Sequence, residues 1–271
     1  MGELLKAVLL GVVQGITEWL PVSSTAHLLL VDQFLQVGLS ARAKELFFIV
    51  IQLASILAIV ILYWSTLWPF GAKKGSAVKR STWVLWLKII IATIPAAVVG
   101  YLLDDYMDAH LQRWTVIASA LFCYGVIYIF LEKGPLGKAK RRVTSLDAIG
   151  YGDAVLLGFF QTLALVPGTS RSGSTILGGI ILGLDRGVAA QFSFFMAIPV
   201  MVGASALKLI KLGFSYTAME WLIIAVASIT SFAVSMLVVK ALIGYVKSHD
   251  FSIFGVYRIL LSIAIAAFFI F

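Results

Sequence analysis

A chain of 271 residues that is 61% hydrophobic and 13% charged cannot cover a water-facing surface, since an ordinary soluble domain is about one quarter charged. Composition therefore excludes a soluble globular protein and indicates a single membrane domain, residues 1–271. The formal net charge of +8 comes largely from Lys and Arg clustered between apolar segments. It therefore indicates membrane topology and contact with anionic phospholipid, and no nucleic acid partner is expected.

The chain opens with an apolar region, residues 2–37, that is interrupted at residues 20–25 by Leu-Pro-Val-Ser-Ser-Thr. The apolar stretch after this break has only about 12 residues, whereas a spanning helix needs about 20. We therefore predict a re-entrant helical hairpin with its polar tip inside the membrane. Irregular backbone at that depth is tolerated only where it is buried in protein or lines a wet cavity.

Three predicted spans follow, then a second hairpin over residues 148–184, then three more spans. The second hairpin is interrupted at residues 167–173 by Pro-Gly-Thr-Ser-Arg-Ser-Gly. Six segments are apolar over a length that can cross a bilayer. They are about 45–70, 84–103, 114–131, 188–210, 218–246 and 251–271. The predicted fold class is an all-α integral membrane protein with about six transmembrane helices and two re-entrant helical hairpins.

The two hairpin regions resemble each other, which indicates an internal duplication. The matched positions are residues 11–14 with 158–161, Pro21 with Pro167, Ser24 with Ser170, and Glu45 with Gln191. The halves, about 1–138 and 139–271, each hold one hairpin and three spans. Three is odd, so the halves must have opposite orientations. This inverted-topology repeat places sites at the midplane, where broken helices meet.

Charges between the spans predict the orientation. Two basic clusters flank an acidic segment at residues 104–108. The clusters are Lys73, Lys74, Lys79, Arg80 and Lys88, then Lys133, Lys138, Lys140, Arg141 and Arg142. The positive-inside rule assigns both clusters, interpreted as loops, to the cytoplasm and the acidic loop to the outside. Both termini are then outside, and the first hairpin enters from the outside.

The first hairpin carries a carboxylate. Gln14 and Glu18 are four residues apart and share one face of an otherwise apolar helix. An ionisable side chain at membrane depth is costly and is a functional candidate by default. The alternative for Glu18 is a structural hydrogen bond within the hairpin.

Hydroxyl groups and an imidazole follow this carboxylate. Pro21 breaks the first helix, and Ser24 or Thr25 is expected to cap the next one, whose free N–H groups favour an anion. His27 falls three residues after Ser24, which predicts a nucleophile–base pair. Capping explains one of the three hydroxyls at Ser23, Ser24 and Thr25. It does not explain why all three occur close to His27 and Glu18.

The second turn has the composition of a phosphate site. Gly168 lets the backbone approach a ligand closely, and Arg171 supplies a planar fork that matches phosphate oxygens. Hydroxyl donors surround the arginine: Thr169, Ser170, Ser172, Ser174 and Thr175. The alternative is that Arg171 pairs with Glu18 merely to hold the hairpins together. No Gly-Lys-Ser/Thr follows, so a nucleotide is not implied.

These motifs resemble the undecaprenyl-pyrophosphate phosphatases, the bacitracin-resistance family, over essentially the whole chain. That family carries Glu/Gln-x-x-x-Glu, then Pro-Val-Ser-Ser-Thr-x-His, then Pro-Gly-x-Ser-Arg-Ser-x-x-Thr. Here the motifs are Gln14 to Glu18, Pro21 to His27 and Pro167 to Thr175. Gln14 at the first position leaves one carboxylate fewer for a metal ion.

The resemblance implies hydrolysis of undecaprenyl pyrophosphate to undecaprenyl phosphate and inorganic phosphate. This reaction recycles the carrier lipid for cell-wall synthesis and confers bacitracin resistance. The resemblance also implies a bacterial cytoplasmic (inner) membrane location, a site open to the outer face, and a divalent cation, Mg²⁺ or Ca²⁺, with Glu18 as its ligand.

Two mechanisms stay open at this point. In the first, Ser24 attacks the terminal phosphorus and His27 or Glu18 accepts its proton. In the second, water attacks with Glu18 as base or metal ligand. Arg171 clamps the phosphates in both. The remaining expected substrate-binding residues are Gln14, Ser23, Thr25, Gly168, Thr169, Ser170, Ser172 and Thr175.

Inverted repeats with broken helices are also typical of transporters, so a lipid or ion transporter with a midplane phosphate site is the alternative function. The phosphate-adapted second turn favours the enzyme. The sequence leaves the oligomeric state open, a homodimer included.

Overall fold

A computed structural model of the chain describes residues 2–70 and 79–270, without the side chains of Asp104, Asp105 and Asp108. Apart from one isolated bridge between Val143 and Leu184, the described residues form helices and connections. The helices are α1 (Glu3–Thr17), α2 (Ser24–Leu35), α3 (Ala41–Leu62), α4 (Trp64–Leu67), α5 (Arg80–His110), α6 (Trp114–Lys133), α7 (Pro135–Lys138), α8 (Tyr151–Leu163), α9 (Arg171–Ile181), α10 (Arg186–Leu212), α11 (Ala218–Tyr245) and α12 (Ser252–Ile270).

Six of these helices, α3, α5, α6, α10, α11 and α12, are long and apolar enough to cross a bilayer, with mean hydropathies of 1.8 to 2.6. They confirm the all-α fold class and the six predicted spans. The first span is shorter than predicted, because α3 ends at Leu62 and α4 follows after Tyr63.

The charges used to predict the orientation are not all in loops. Residues 104–108 lie in the last turns of α5, so their assignment to a loop was wrong. Lys88 also lies within α5, where its buried side chain donates to the carbonyl oxygen of Asp147 at 3.1 Å. Lys73 and Lys74 fall outside the described residues.

Each predicted hairpin is a pair of helices, α1 with α2 and α8 with α9, joined by an irregular polar turn. The second helix of each pair is capped by a serine with a left-handed φ: 72° at Ser23 and 71° at Ser170. Ser23 Oγ accepts from the N–H of Ala26 at 3.4 Å, and Ser170 Oγ accepts from the N–H of Gly173 at 3.1 Å. The expected cap at Ser24 or Thr25 was therefore wrong by one or two residues.

The cap positions also correct the internal alignment. Ser23 and Ser170 have the same sequence separation as Gln14 and Gln161, which lie near the ends of α1 and α8. Ser23, rather than Ser24, is therefore the counterpart of Ser170. With this alignment, the counterpart of Arg171 is Ser24, and each is the first residue of its helix.

Helices of one half pack against helices of the other half in a reciprocal pattern. Helix α1 packs along α11, while α8 packs along α5; α3 packs on α10 and α6 on α12. Glycine allows the close approach at matched positions. A Cβ on Gly11 would lie 2.5 Å from the Ala227 carbonyl oxygen, and one on Gly158 would lie 2.7 Å from that of Ala92. This reciprocal packing is what two related halves would produce. Their inverted orientation in a bilayer stays a prediction.

Candidate active site

The two polar turns meet at one carboxylate. Glu18 follows directly after α1 and is buried, with 5% of its surface exposed. Its Oε2 accepts hydrogen bonds from Gln14 Nε2 at 3.0 Å and from Ser24 Oγ at 2.8 Å. Its Oε1 accepts from Arg171 Nη2 at 3.1 Å. Four predicted site residues from both halves are thereby brought into one hydrogen-bonded cluster.

Arg171 is held from three sides. Nη2 pairs with Glu18, Nη1 donates to the carbonyl oxygen of Ser193 at 3.0 Å, and the guanidinium carbon lies 5.5 Å from the centre of the Trp19 ring. Its buried Nε has no hydrogen-bond partner among the described residues. A buried donor without a partner is costly, so an anion bound here would satisfy it.

Ser24 is free to react because it is not the cap. The Ser23 hydroxyl accepts a hydrogen bond from the backbone of α2, while Ser24 Oγ donates one to Glu18. A hydroxyl at 2.8 Å from a carboxylate oxygen is within reach of that oxygen as a general base. The first turn therefore places a hydroxyl beside a carboxylate that can accept its proton.

His27 does not take the predicted role beside Ser24. Nδ1 lies 2.7 Å from the carbonyl oxygen of Ser23, and Nε2 lies 2.6 Å from the hydroxyl of Tyr257. The two rings stack at 5.6 Å with an angle of 4°. A carbonyl can only accept, so Nδ1 carries the proton and Nε2 accepts from Tyr257. Of the two predicted proton acceptors, Glu18 is the one that forms a hydrogen bond with Ser24 in this structure.

Several of the predicted substrate-binding hydroxyls form hydrogen bonds with protein atoms. Ser172 Oγ donates to the carbonyl oxygen of Leu20 at 3.1 Å, which ties the second turn to the first. Thr175 Oγ1 lies 2.6 Å from Ser193 Oγ and donates to the carbonyl oxygen of Arg171 at 2.8 Å. Thr25 is exposed in the first turn of α2. Ser172 and Thr175 therefore support the turns in this structure.

Gly168 allows a close approach of the second turn to another helix. Its φ is +91°, and a Cβ there would lie 2.5 Å from the carbonyl oxygen of Ile117 in α6. The carbonyl oxygens of Gly168 and Thr169 both accept from Arg258 at 2.8 Å. In this structure the glycine lets the second turn pack against α6, and a close approach to a ligand stays a prediction.

Arg258 is the residue that sequence reasoning missed. It is fully buried in α12, and its Nη1 donates to the carbonyl oxygen of Pro21 at 3.1 Å. The sequence did contain a signal, because Arg258 is the only charged residue between Phe251 and Phe271. An isolated ionisable residue in an apolar span is a functional candidate on the same grounds as Glu18.

Comparison with known proteins settles the family. The family model described as bacitracin resistance protein BacA matches residues 7–264, which include all three motifs and Arg258. The chain belongs to the BacA family. The resemblance that the motifs carry is thus confirmed.

Relatives of this BacA-family chain match it over nearly their full length. An undecaprenyl-diphosphatase of Enterococcus faecalis is 48% identical over 266 residues, which cover 97% of this chain and 96% of the relative. Undecaprenyl-diphosphatase 1 of Clostridioides difficile (strain 630) is 51% identical over 268 residues, covering 98% and 96%. An undecaprenyl-diphosphatase of Desulfitobacterium hafniense is 49% identical with the same coverage.

The BacA-family site fits a divalent cation only in part. The described residues contain no group of three or more His, Cys, Asp or Glu side chains that could hold a metal ion. Glu18 is the one carboxylate in the cluster, and the amide of Gln14 adds an oxygen of the kind that a hard cation takes. Mg²⁺ is commonly held by one or two carboxylates together with substrate phosphates, and this donor set suits that arrangement.

Proposed function

We propose that this chain hydrolyses undecaprenyl pyrophosphate to undecaprenyl phosphate and inorganic phosphate in a bacterial cytoplasmic membrane. The observation that carries the proposal is the Glu18 carboxylate, which holds Ser24 Oγ on one oxygen and Arg171 Nη2 on the other. A nucleophile, a base and a phosphate ligand meet there. Full-length relatives named undecaprenyl-diphosphatase support the substrate. Recycling of this carrier lipid for cell-wall synthesis fits the bacitracin resistance in the family's description.

Substrate binding begins at the second turn. The pyrophosphate group accepts hydrogen bonds from Arg171, including its unpartnered Nε, and from N–H groups at the start of α9. Charge in phosphoryl transfer is spread over the oxygens, so catalysis depends mostly on positioning and electrostatics. Arg171 therefore orients the terminal phosphate toward Ser24.

Reaction then proceeds at the first turn. Ser24 Oγ forms a bond to the terminal phosphorus, and the bond from that phosphorus to the bridging oxygen breaks, so that undecaprenyl phosphate leaves. Glu18 accepts the serine proton across the 2.8 Å hydrogen bond. Water then attacks the phosphoserine, inorganic phosphate leaves, and the proton returns to Ser24. Direct attack by water uses the same base and makes Ser24 a phosphate ligand.

Phosphate release by purified protein in detergent tests the function. The substrates are undecaprenyl, farnesyl and diacylglycerol pyrophosphates, with Glu18→Gln as the inactive control. We expect the unsubstituted protein to release phosphate from the undecaprenyl substrate, and we expect Glu18→Gln to release none. Movement of the lipid across a sealed vesicle without phosphate release would instead favour the transporter.

A divalent cation, Mg²⁺ or Ca²⁺, is proposed as the cofactor, with Glu18 and the Gln14 amide oxygen as its protein ligands. When bound, the cation neutralises charge on the phosphate oxygens. Removal by a chelator should abolish phosphate release, and titration with each metal should restore it. Undiminished release after exhaustive chelation would remove the cation from the proposal.

The site is proposed to open to the outer face, with both termini outside. Tyr106→Cys and Ala139→Cys, each in a Cys123→Ser background, place single thiols in the acidic segment and in a basic loop. An impermeant reagent applied to intact cells should label residue 106 and spare residue 139. The reverse labelling would invert the topology.

A further inference from the structure

Arg258 contacts both polar turns from a third element. Its side chain is 0% exposed, and its two terminal nitrogens donate to three carbonyl oxygens. Nη1 binds Pro21 in the first turn, while Nη2 binds Gly168 and Thr169 in the second. One guanidinium thus bridges the two halves of the site.

The bonded carbonyls lie two or three residues before the proposed reactive positions, Ser24 and Arg171. Pro21 precedes the strained cap Ser23 and then Ser24, while Thr169 precedes the cap Ser170 and then Arg171. A non-glycine residue with positive φ persists only when its surroundings fix it. Arg258 contacts the backbone on both sides and, together with the Ser172 and Arg171 contacts, holds the starts of α2 and α9 near each other.

The charge of Arg258 has no carboxylate partner among the described residues. Arg171 pairs with Glu18 and Arg186 with Glu132, whereas the contacts of Arg258 are carbonyl oxygens and the face of Tyr124, 5.5 Å away. Its buried Nε also lacks a hydrogen-bond partner there. A buried charge without a counter-ion is costly, and a polyanionic ligand between the turns would offset that cost.

We propose that Arg258 is a positioning residue for the pyrophosphate headgroup. Its fork holds the two turns at the separation where Ser24 and Arg171 flank one phosphate, and its charge favours a polyanion at that place. The proposal rests on the phosphatase function above. It assigns to α12 a part in substrate binding without direct contact with the reacting atoms.

Three variants test this assignment. Arg258→Lys keeps the charge but lacks the planar fork, and Arg258→Gln keeps two donors without charge. Arg186→Lys is the matched control, because Arg186 makes a bidentate pair with the two carboxylate oxygens of Glu132 and donates to the carbonyl oxygen of Gly137. The measurements are KM for undecaprenyl pyrophosphate, Ki for inorganic pyrophosphate, and the rise in Tm that pyrophosphate causes.

Both Arg258 variants should raise KM and Ki about tenfold, the usual effect of losing a charged hydrogen bond, and should reduce the rise in Tm. Arg186→Lys should lower the basal Tm and leave KM and Ki unchanged. These two constants do not depend on the fraction of active protein, so general destabilisation does not alter them. The rise in Tm requires no turnover, so a protein that binds pyrophosphate without releasing phosphate would contradict the function alone.

Two results would overturn the assignment. One is unchanged KM, Ki and Tm response in folded Arg258→Lys. The other is failure of both Arg258 variants to fold while Arg186→Lys folds, since the residue would then serve folding alone.

Discussion

The two polar turns share one backbone device and differ in chemistry. Each ends in a serine cap with φ near +70°, and each starts a short helix whose first N–H groups favour an anion. The residue after the cap is Ser24 in the first turn and Arg171 in the second. Both contact the same carboxylate, Glu18, on different oxygens.

The remaining counterparts differ in the same sense. Gln14 donates to Glu18, whereas Gln161 donates to the carbonyl oxygen of Ala92 at 3.3 Å. The counterpart of Glu18 is Leu165, which carries no charge. In the proposed mechanism the first turn supplies the base and the nucleophile, and the second supplies the guanidinium of Arg171. The two turns have the same cap and differ in chemistry at a few matched positions.

The largest expected effect tests where this asymmetry lies. Glu18→Gln keeps the shape but removes the base, and it should lower phosphate release by ~10³-fold, within the range of general base catalysis. The matched control is Leu165→Gln, which places the same amide in the second turn and should keep most of the activity. Comparable losses in both variants would show that the turns are not chemically distinct.

The next effect separates the two serines at the start of α2. Ser24→Ala should lower turnover by ~10²-fold or more, because the base then has no hydroxyl to activate. Ser23→Ala should lower the free energy of unfolding by only about 1 kcal/mol, which is the usual contribution of a helix cap. The check is turnover with substrate binding measured alongside, together with trapping of a phosphoserine at residue 24. Substantial turnover in Ser24→Ala would identify water as the nucleophile.

Arg171→Lys tests the second turn alone. Charge is kept, but a lysine cannot reach Glu18 and the Ser193 carbonyl as a fork, nor present an Nε donor. We expect kcat/KM to fall by roughly 10- to 100-fold, the range for one or two charged hydrogen bonds. Near-normal kcat/KM in this variant would remove the clamp from the mechanism.

The spans and the turns could be predicted because each rests on a strong local signal. Bilayer thickness fixes the length of apolar helix, and six segments met it. Pro21 and the polar residues around Arg171 interrupted the other two regions. The pair of Glu18 with Arg171 was one of the two alternatives for the second turn, since buried charges need partners.

Contacts that depend on the folded structure could not be predicted from the sequence. The cap was misplaced because a left-handed serine is uncommon, and no pattern marks Ser23 over Ser24. The partner of His27, Tyr257, is 230 residues away in sequence. The sequence shows Arg258 as an isolated charge. Its three acceptors could not be predicted, because they are backbone carbonyl oxygens and no side chain marks them.

The smallest expected effect tests whether the two caps are the same device. At Ser23 and Ser170, alanine would lose the side-chain cap and leave the unfavourable positive φ in place, so nothing compensates for the lost hydrogen bond. Glycine would lose the same hydrogen bond but relieve the φ, and as a cap it costs only a few tenths of a kcal/mol. Each Ser→Gly variant should therefore melt above its Ser→Ala counterpart, by about 2–4 °C for 1 kcal/mol in a chain of this size. Thermal unfolding in detergent gives the order directly. If glycine exceeded alanine at one cap only, the matched φ values would not reflect a shared constraint, and the structural equivalence of the two turns would fail at that residue.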